Sequence, residues 1–209
     1  MGPVIRRLVA LALILGLSTA WSADDAARIL ILGDSLSAGL GLPEDESFPS
    51  RLGAALEEKG HAVTIINAGV SGDTSAGGRA RLDWVMGEDP DAALVTLGAN
   101  DALRGLDTDA MKANLIAIVE RLQAEGLPVL IAGMKAPPNL GDDYESAFEA
   151  VFPAVAQQTG ALLYPFFLEG VAADPALNQA DGIHPTAEGV EIIVKGILPK
   201  VEELLARLP

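Results

Sequence analysis

Short apolar runs alternate along the chain with longer segments in which apolar residues recur every three or four positions. The runs are rich in Val, Ile, Leu and Ala, and they cover residues 29–32, 63–66, 92–97, 129–132 and 161–164. Because these runs do not alternate with polar residues, they are typical of parallel strands that helices cover on both faces. The pattern therefore predicts a central parallel sheet of about five strands.

Two of the longer segments carry the start and stop signals of helices. Ser47 is expected to cap the first, which has Pro49 in its first turn and ends at Gly60. The second begins near Thr108 and ends at Gly126. Its apolar residues share one helical face and are Met111, Leu115, Ile118 and Leu122.

A third helix is predicted from about Ala187 onward, and Pro199 is expected to kink or split it. Strands and helices thus alternate over residues 24–209, a length that suits one domain with a sizeable core. This order predicts a three-layer α/β/α sandwich with right-handed crossovers. Ligands of such sheets bind beyond the carboxyl ends of the strands.

Residues 1–23 have the pattern of a cleaved signal peptide. Arg6 and Arg7 precede an apolar run over residues 8–17, and small residues follow it. The alternative is a membrane anchor, but the apolar stretch 8–21 has only 14 residues, whereas a spanning helix needs about 20. We expect cleavage within about three residues of position 23 and a periplasmic or secreted protein with no stable membrane insertion after leader removal.

Charge and cysteine content narrow the possible partners. Removal of residues 1–23 takes away two arginines and leaves 12 basic against 29 acidic side chains, a formal charge of −17. Such a field repels nucleic acid and anionic membrane surfaces, so a small neutral or zwitterionic substrate fits better, although the acidity could serve solubility alone. The absence of cysteine excludes disulfides and thiolate chemistry.

Polar turns that contain glycine follow the first three predicted strands, and a fourth precedes the last helix. They are Gly33-Asp34-Ser35-Leu36-Ser37, residues 67–74, Gly98-Ala99-Asn100-Asp101 and Asp181-Gly182-Ile183-His184-Pro185. The carboxyl ends of parallel strands share one edge of a sheet, and the fourth turn can reach that edge from its loop. Taken singly, each turn is ordinary turn chemistry.

The fourth turn places a carboxylate three residues before a histidine. This spacing lets Asp181 hold Nδ1–H of His184 while Nε2 points outward as a general base. Ser35 is then a candidate nucleophile, because a serine hydroxyl needs such a base and a buried carboxylate that stabilises the imidazolium. The only other histidine, His61, lies outside any polar turn of this kind and is interpreted as solvated.

A tetrahedral intermediate also requires hydrogen-bond donors for its oxyanion. The backbone N–H groups of Ser35 and Gly72 and the side-chain amide of Asn100 are the candidates. Gly72 lets the backbone come close to the substrate, and Asn100 offers N–H groups without adding charge.

The four turns together resemble the blocks of the SGNH (GDSL-type) hydrolase family, and within it the bacterial exported esterases described as thioesterase, lysophospholipase and arylesterase. The resemblance implies a flavodoxin-like α/β/α sandwich and a serine esterase that cleaves carboxylic esters and thioesters through an acyl-enzyme. It gives Ser35, Asp181 and His184 the roles of a triad, with Gly72 and Asn100 in the oxyanion hole. The Gly-x-Ser-x-Gly elbow of other α/β-hydrolases is absent, since Ser37 replaces its last glycine.

Substrate contacts are expected from the loops 72–81 and 136–148, the first as a mobile flap. The apolar candidates are Leu36, Leu106, Phe148 and Ile183. Two alternatives stay open: a carbohydrate O-acetylesterase with the same triad, and a non-catalytic binding protein. We expect a monomer without metal or cofactor, because two distant histidines make no ligand set and no nucleotide-binding glycine motif is present.

Overall fold

The computed structural model describes residues 26–209, so the predicted signal peptide at 1–23 lies outside the described residues. The strands are β1 (Ala27–Gly33), β2 (Val63–Gly69), β3 (Ala92–Thr96), β4 (Val129–Ala132) and β5 (Leu162–Tyr164). The helices are α1 (Ser35–Ala38), α2 (Phe48–Glu58), α3 (Ser75–Ala80), α4 (Leu82–Val85), α5 (Ala99–Leu103), α6 (Thr108–Ala124), α7 (Asp142–Thr159) and α8 (Ala187–Leu205). Short 3₁₀ turns cover Glu44–Glu46, Met86–Glu88 and Pro138–Leu140.

The five strands form one parallel sheet in the order β2-β1-β3-β4-β5. Helices α2 and α8 pack against each other, and α6 packs between α3 and α7. Right-handed crossovers place these two groups on opposite faces of the sheet, because the chain moves one way from β1 to β2 and the other way thereafter. The predicted three-layer α/β/α sandwich with about five parallel strands is confirmed.

The central strands carry the core of the molecule. Residues 29–32 of β1 and all of β3 are buried, because a strand inside the sheet is covered by helices on both faces. The edge strand β2 buries much less of its surface. Within residues 26–209, no helix is both long enough and apolar enough to cross a membrane.

All three predicted helices begin where the sequence indicated, but the capping contact of one differs. Ser47 is the N-cap residue of helix α2, as predicted, but its hydroxyl donates to the carbonyl of Glu44 at 2.7 Å and makes no capping hydrogen bond. Helix α6 is capped by Asp107, which accepts from the N–H of Ala110 at 2.8 Å. Its four predicted inward residues are all buried.

The prolines within two long helices leave those helices continuous. Helix α8 runs through Pro199 without interruption, so the predicted split did not occur. Proline removes the bond to the carbonyl four residues earlier, and here that carbonyl belongs to Lys195 on the exposed face, where water can satisfy it. The same holds for Pro153 in α7, a helix that the sequence analysis did not predict, where the freed carbonyl belongs to exposed Glu149.

Candidate active site

The strand register brings the polar turns together at one edge of the sheet. Gly33, the last residue of β1, pairs with Gly69 of β2 on one side and with Thr96 of β3 on the other. A Cβ atom at Gly33 would collide with the hydroxyl oxygen of Thr96 and lie 2.8 Å from the Cβ of Ser37. Only glycine permits this close approach, which places the residues after β1 beside those after β3.

Ser35 is the first residue of the one-turn helix α1. Asp34 precedes it and caps the helix, since its Oδ1 accepts from the N–H of Leu36 at 3.0 Å. Gly39 ends the helix in the left-handed conformation, with φ of 75°. The cap and the glycine together confine α1 to a single turn and hold Ser35 at the sheet edge.

The turn before α8 brings a histidine to Ser35. The carboxylate of Asp181 accepts from the backbone N–H groups of Ile183 and His184 at 2.9 and 3.0 Å. Its Oδ2 lies 2.7 Å from Nδ1 of His184, and Nε2 of the same ring lies 2.8 Å from Oγ of Ser35. The three side chains therefore form one continuous hydrogen-bonded chain.

Hydrogen bonds, not burial, determine the charge state of Asp181. The backbone N–H groups of His184 and Ile183 and the ring of His184 lower the pKa of Asp181 to about 2. Its side chain is 45% exposed, so the expectation of a buried carboxylate was wrong. At neutral pH the carboxylate is ionised and accepts from Nδ1–H, which leaves Nε2 free to accept from Ser35.

Gln179 anchors this turn to the turn that carries Ser35. Its Nε2 donates to the carbonyls of Leu40 and Pro185 at 2.8 and 3.0 Å, and its backbone N–H donates to the carbonyl of His184 at 2.7 Å. The sequence analysis missed this residue, and no local pattern marks it, because its partner Leu40 is 139 positions away.

The two further donors proposed for an oxyanion follow the two strands that flank β1: Gly72 comes after β2, and Asn100 comes after β3. Gly72 has a φ of 85°, a conformation that favours glycine, and its carbonyl accepts from Arg104 at 2.6 Å. Asn100 lies in the first turn of α5 and donates from Nδ2 to Oδ2 of Asp34 at 3.1 Å.

Buried hydrogen bonds join the turn of Gly72 to α5. The side chain of Asp101 accepts from the N–H and the hydroxyl of Ser75 at 2.7 and 2.6 Å. Ser75 follows Gly72 by three residues, and Asp101 follows Asn100 directly, so this contact links the two turns.

Comparisons with known proteins identify the family of this chain. A sequence model of the GDSL-like lipase/acylhydrolase family matches residues 31–192. The chain belongs to this family. Esterase TesA of Pseudomonas aeruginosa is 40% identical over 86% of this chain and 90% of its own length. Thioesterase 1/protease 1/lysophospholipase L1 of Escherichia coli is 35% identical and covers 86% of both chains.

A solved structure of the same type is similar throughout the domain. The crystal structure of AlinE4, an SGNH-hydrolase family esterase, is 46% identical to this chain, with a TM-score of 0.74. The match covers 87% of this chain and 97% of that one. The resemblance inferred from the four turns is therefore confirmed at the level of family and fold.

The apolar residues expected at the substrate divide into two groups in this GDSL-family chain. Phe148 has no exposed surface. Its ring stacks on that of Tyr144 with centroids 6.2 Å apart and meets the ring of Phe152 edge to face at 5.5 Å, so its assignment to a pocket was wrong. Leu36 is 5% exposed and also belongs to the core. Leu106 and Ile183, by contrast, are exposed.

The segments expected to be loops are partly helical. Residues 75–80 of the supposed flap form α3, capped by Thr74, whose Oγ1 accepts from the N–H of Gly77 at 3.2 Å. Residues 142–148 form the first two turns of α7. Three exposed apolar residues that the sequence analysis did not select follow the same strand ends: Leu40, Val70 and Leu103.

His61 lies at the opposite end of the sheet from Ser35. It precedes β2, and its Nε2 lies 3.3 Å from Oε1 of Glu202 on α8. This half-buried ring is paired with a carboxylate instead of being fully solvated, which corrects that detail. No group of three or more metal-ligating acidic or histidine side chains occurs among residues 26–209.

Proposed function

We propose that this chain is a serine esterase that hydrolyses carboxylic esters and thioesters through an acyl-enzyme intermediate. The observation that carries the proposal is the chain of hydrogen bonds from Asp181 through His184 to Ser35, at 2.7 and 2.8 Å. Nε2 takes the proton of Ser35 Oγ as that oxygen attacks the acyl carbon, and Asp181 stabilises the imidazolium that forms.

The intermediate places a negative charge on the former carbonyl oxygen of the substrate. The N–H groups of Ser35 and Gly72 and the amide of Asn100 donate to it. Collapse of the intermediate expels the alcohol or thiol, which receives the proton from His184. Water, deprotonated by the same imidazole, then attacks the acyl-enzyme and releases the acid and the free serine.

The substrate classes to test follow from the names of the relatives. These are esterase, arylesterase and thioesterase 1/protease 1/lysophospholipase L1, so aryl esters, acyl-CoA thioesters and lysophospholipids are the substrates to test. Exposed Leu106 and Ile183 would contact the acyl chain. We further propose that the protein acts as a monomer in the periplasm or outside the cell, after removal of residues 1–23.

The test is the Ser35→Ala variant assayed with p-nitrophenyl butyrate. We expect kcat to fall by at least about 10⁴-fold while the melting temperature stays close to that of the wild type, because the hydroxyl contributes to chemistry and little to packing. A fluorophosphonate probe should label Ser35 in the wild type and nothing in the variant, as read by mass spectrometry of the labelled peptide.

The two histidines of the chain provide a matched pair of variants for the same assay, with His61 as the control for His184. His184→Ala should match the loss of Ser35→Ala, whereas His61→Ala, at the other end of the sheet, should hydrolyse the ester at the wild-type rate. Activity retained in purified Ser35→Ala would contradict the mechanism. A substrate series that includes acetylated xylan decides the substrate, since rates concentrated on the sugar acetate would favour an O-acetylesterase.

A further inference from the structure

Asp34 is a buried carboxylate beside the candidate nucleophile that the mechanism above does not use. Its side chain has no exposed surface, although the residue directly follows β1 at the edge of the sheet. Burial of an acidic side chain is unfavourable unless hydrogen bonds compensate it, so the partners of Asp34 are informative.

The two carboxylate oxygens of Asp34 accept hydrogen bonds from different donors. Oδ1 accepts from the N–H of Leu36 and caps α1, while Oδ2 accepts from Nδ2 of Asn100, which belongs to α5. The first contact is local, because it joins residues two positions apart. The second spans 66 positions and connects the end of β1 to the helix that follows β3.

The second contact determines how the Asn100 amide is oriented. An ionised carboxylate only accepts hydrogen bonds, so it holds the nitrogen of the amide and repels its oxygen. One N–H of Nδ2 is donated to Asp34, which leaves the other N–H of the same nitrogen for a substrate oxyanion. Rotation of the amide by a half turn would instead present its oxygen, which would repel the developing charge.

We propose that Asp34 is a positioning residue that orients the Asn100 amide as an oxyanion donor. The inference rests on the proposed function, because it assumes that Asn100 serves the ester hydrolysis that Ser35 begins. Burial raises the pKa of Asp34 to about 6, and at neutral pH the group is therefore mostly ionised and able to accept at both oxygens.

Two other roles for Asp34 make different predictions. If Asp34 serves only as a helix cap, then any residue that caps equally well will replace it without kinetic loss. If its charge acts on the imidazolium of His184, then its removal will slow hydrolysis whether or not Asn100 is present.

The variant Asp34→Ser separates these roles. Serine caps helices as well as aspartate does, but its side chain is too short to replace the carboxylate at Asn100. We expect kcat for p-nitrophenyl butyrate to fall by about tenfold to a hundredfold, less than the roughly 10²–10³-fold of losing the donor itself, with KM changed much less. The matched control is Asp107→Ser, the same substitution at the cap of α6, which should leave both constants unchanged.

A double-mutant cycle with Asn100→Ala gives the decisive readout. If Asp34 acts through Asn100, then Asp34→Ser will lower kcat no further in the Asn100→Ala background. An additive loss in that background would overturn the proposal in favour of the His184 role, and a single variant with wild-type kcat would overturn it in favour of the cap.

Folding and chemistry remain distinguishable in this experiment. Should Asp34→Ser not fold, Asp34→Asn keeps the size of the side chain but offers one acceptor oxygen for two N–H donors, and the same cycle applies to it. Fluorophosphonate labelling of Ser35 in the wild type tests the proposed function separately, so a failure of the cycle with labelling intact concerns Asp34 alone.

Discussion

Two turns, each with a carboxylate next to a reacting side chain, meet at the candidate active site, and they are built in opposite ways. The turn after β1 holds Asp34 with no exposed surface, and one of its contacts reaches Asn100 on another element. The turn before α8 holds Asp181 with 45% of its side chain exposed, and the hydrogen bonds of this carboxylate all remain within the turn.

The surroundings of the two carboxylates shift their pKa values in opposite directions. Desolvation is the largest influence on Asp34 and raises its pKa to about 6, against the lowering influence of Leu36 and Asn100. Backbone donors dominate at Asp181 and lower its pKa to about 2. The comparison shows that a half-exposed turn with well-aimed N–H groups is enough to keep a carboxylate charged, whereas the buried carboxylate depends on one local donor, Leu36, and one distant donor, Asn100.

The largest expected effect concerns the exposed turn. Asp181→Asn should lower kcat by about 10⁴-fold, because an amide no longer stabilises the imidazolium and allows the wrong tautomer of His184. Its free energy of unfolding should fall only modestly, because the amide oxygen of asparagine can still accept from the N–H groups of Ile183 and His184. Steady-state kinetics with p-nitrophenyl butyrate and urea unfolding measure the two effects.

The control is Asp174→Asn, which changes another exposed aspartate whose side chain caps its own turn by accepting from Ala176 at 2.9 Å. That variant should hydrolyse the ester at the wild-type rate. Comparable losses in both variants would show that the effect is not specific to the carboxylate at His184.

The raised pKa of Asp34 should be detectable in the pH dependence of the free energy of unfolding. The pKa of Asp34 is higher in the folded chain than in the unfolded one, so its contribution to stability is fully present below about pH 4 and is lost as the pH rises through about 6. Asp34→Asn lacks this loss. Relative to the wild type, the variant should therefore gain up to about 3 kcal/mol of unfolding free energy between pH 4 and pH 7.

Urea unfolding of both proteins across this pH range provides the measurement. Asp181 is present in both proteins, so its own pH-dependent contribution to stability cancels from the difference between them. A difference between the two proteins that stays constant from pH 4 to pH 7 would contradict the raised pKa of Asp34.

A matched pair of glycine substitutions should give the smallest effects. Gly33→Ala places a Cβ against the hydroxyls of Thr96 and Ser37, and we expect a loss of about 1–3 kcal/mol from overpacking. Gly182 has a φ of 71° and no other atom near its Cβ position, so Gly182→Ala should cost only about 1 kcal/mol of backbone strain. Thermal unfolding ranks the two, and a larger loss at Gly182 would contradict the contrast between the turns.

The strands were predictable because they are continuous apolar runs, a property of adjacent residues. Errors arose where an unpredicted helix or the packing of a helix decided the outcome. Phe148 looked available to substrate because α7 was not predicted, and within that helix it packs against Tyr144 and Phe152, four residues to either side. Pro199 looked like a helix breaker, but the carbonyl that it frees faces solvent, which depends on how α8 packs.

The sequence by itself determined the residue types of the site, their position after successive strands, and the spacing that lets Asp181 hold His184, because these depend on nearest neighbours and on helix and strand periods. The tertiary structure alone decided that β1 lies between β2 and β3, that Asp34 is buried against Asn100, and that Gln179 ties the last turn to the first. These contacts join residues 66 and 139 positions apart, and only packing of the whole sheet brings them together.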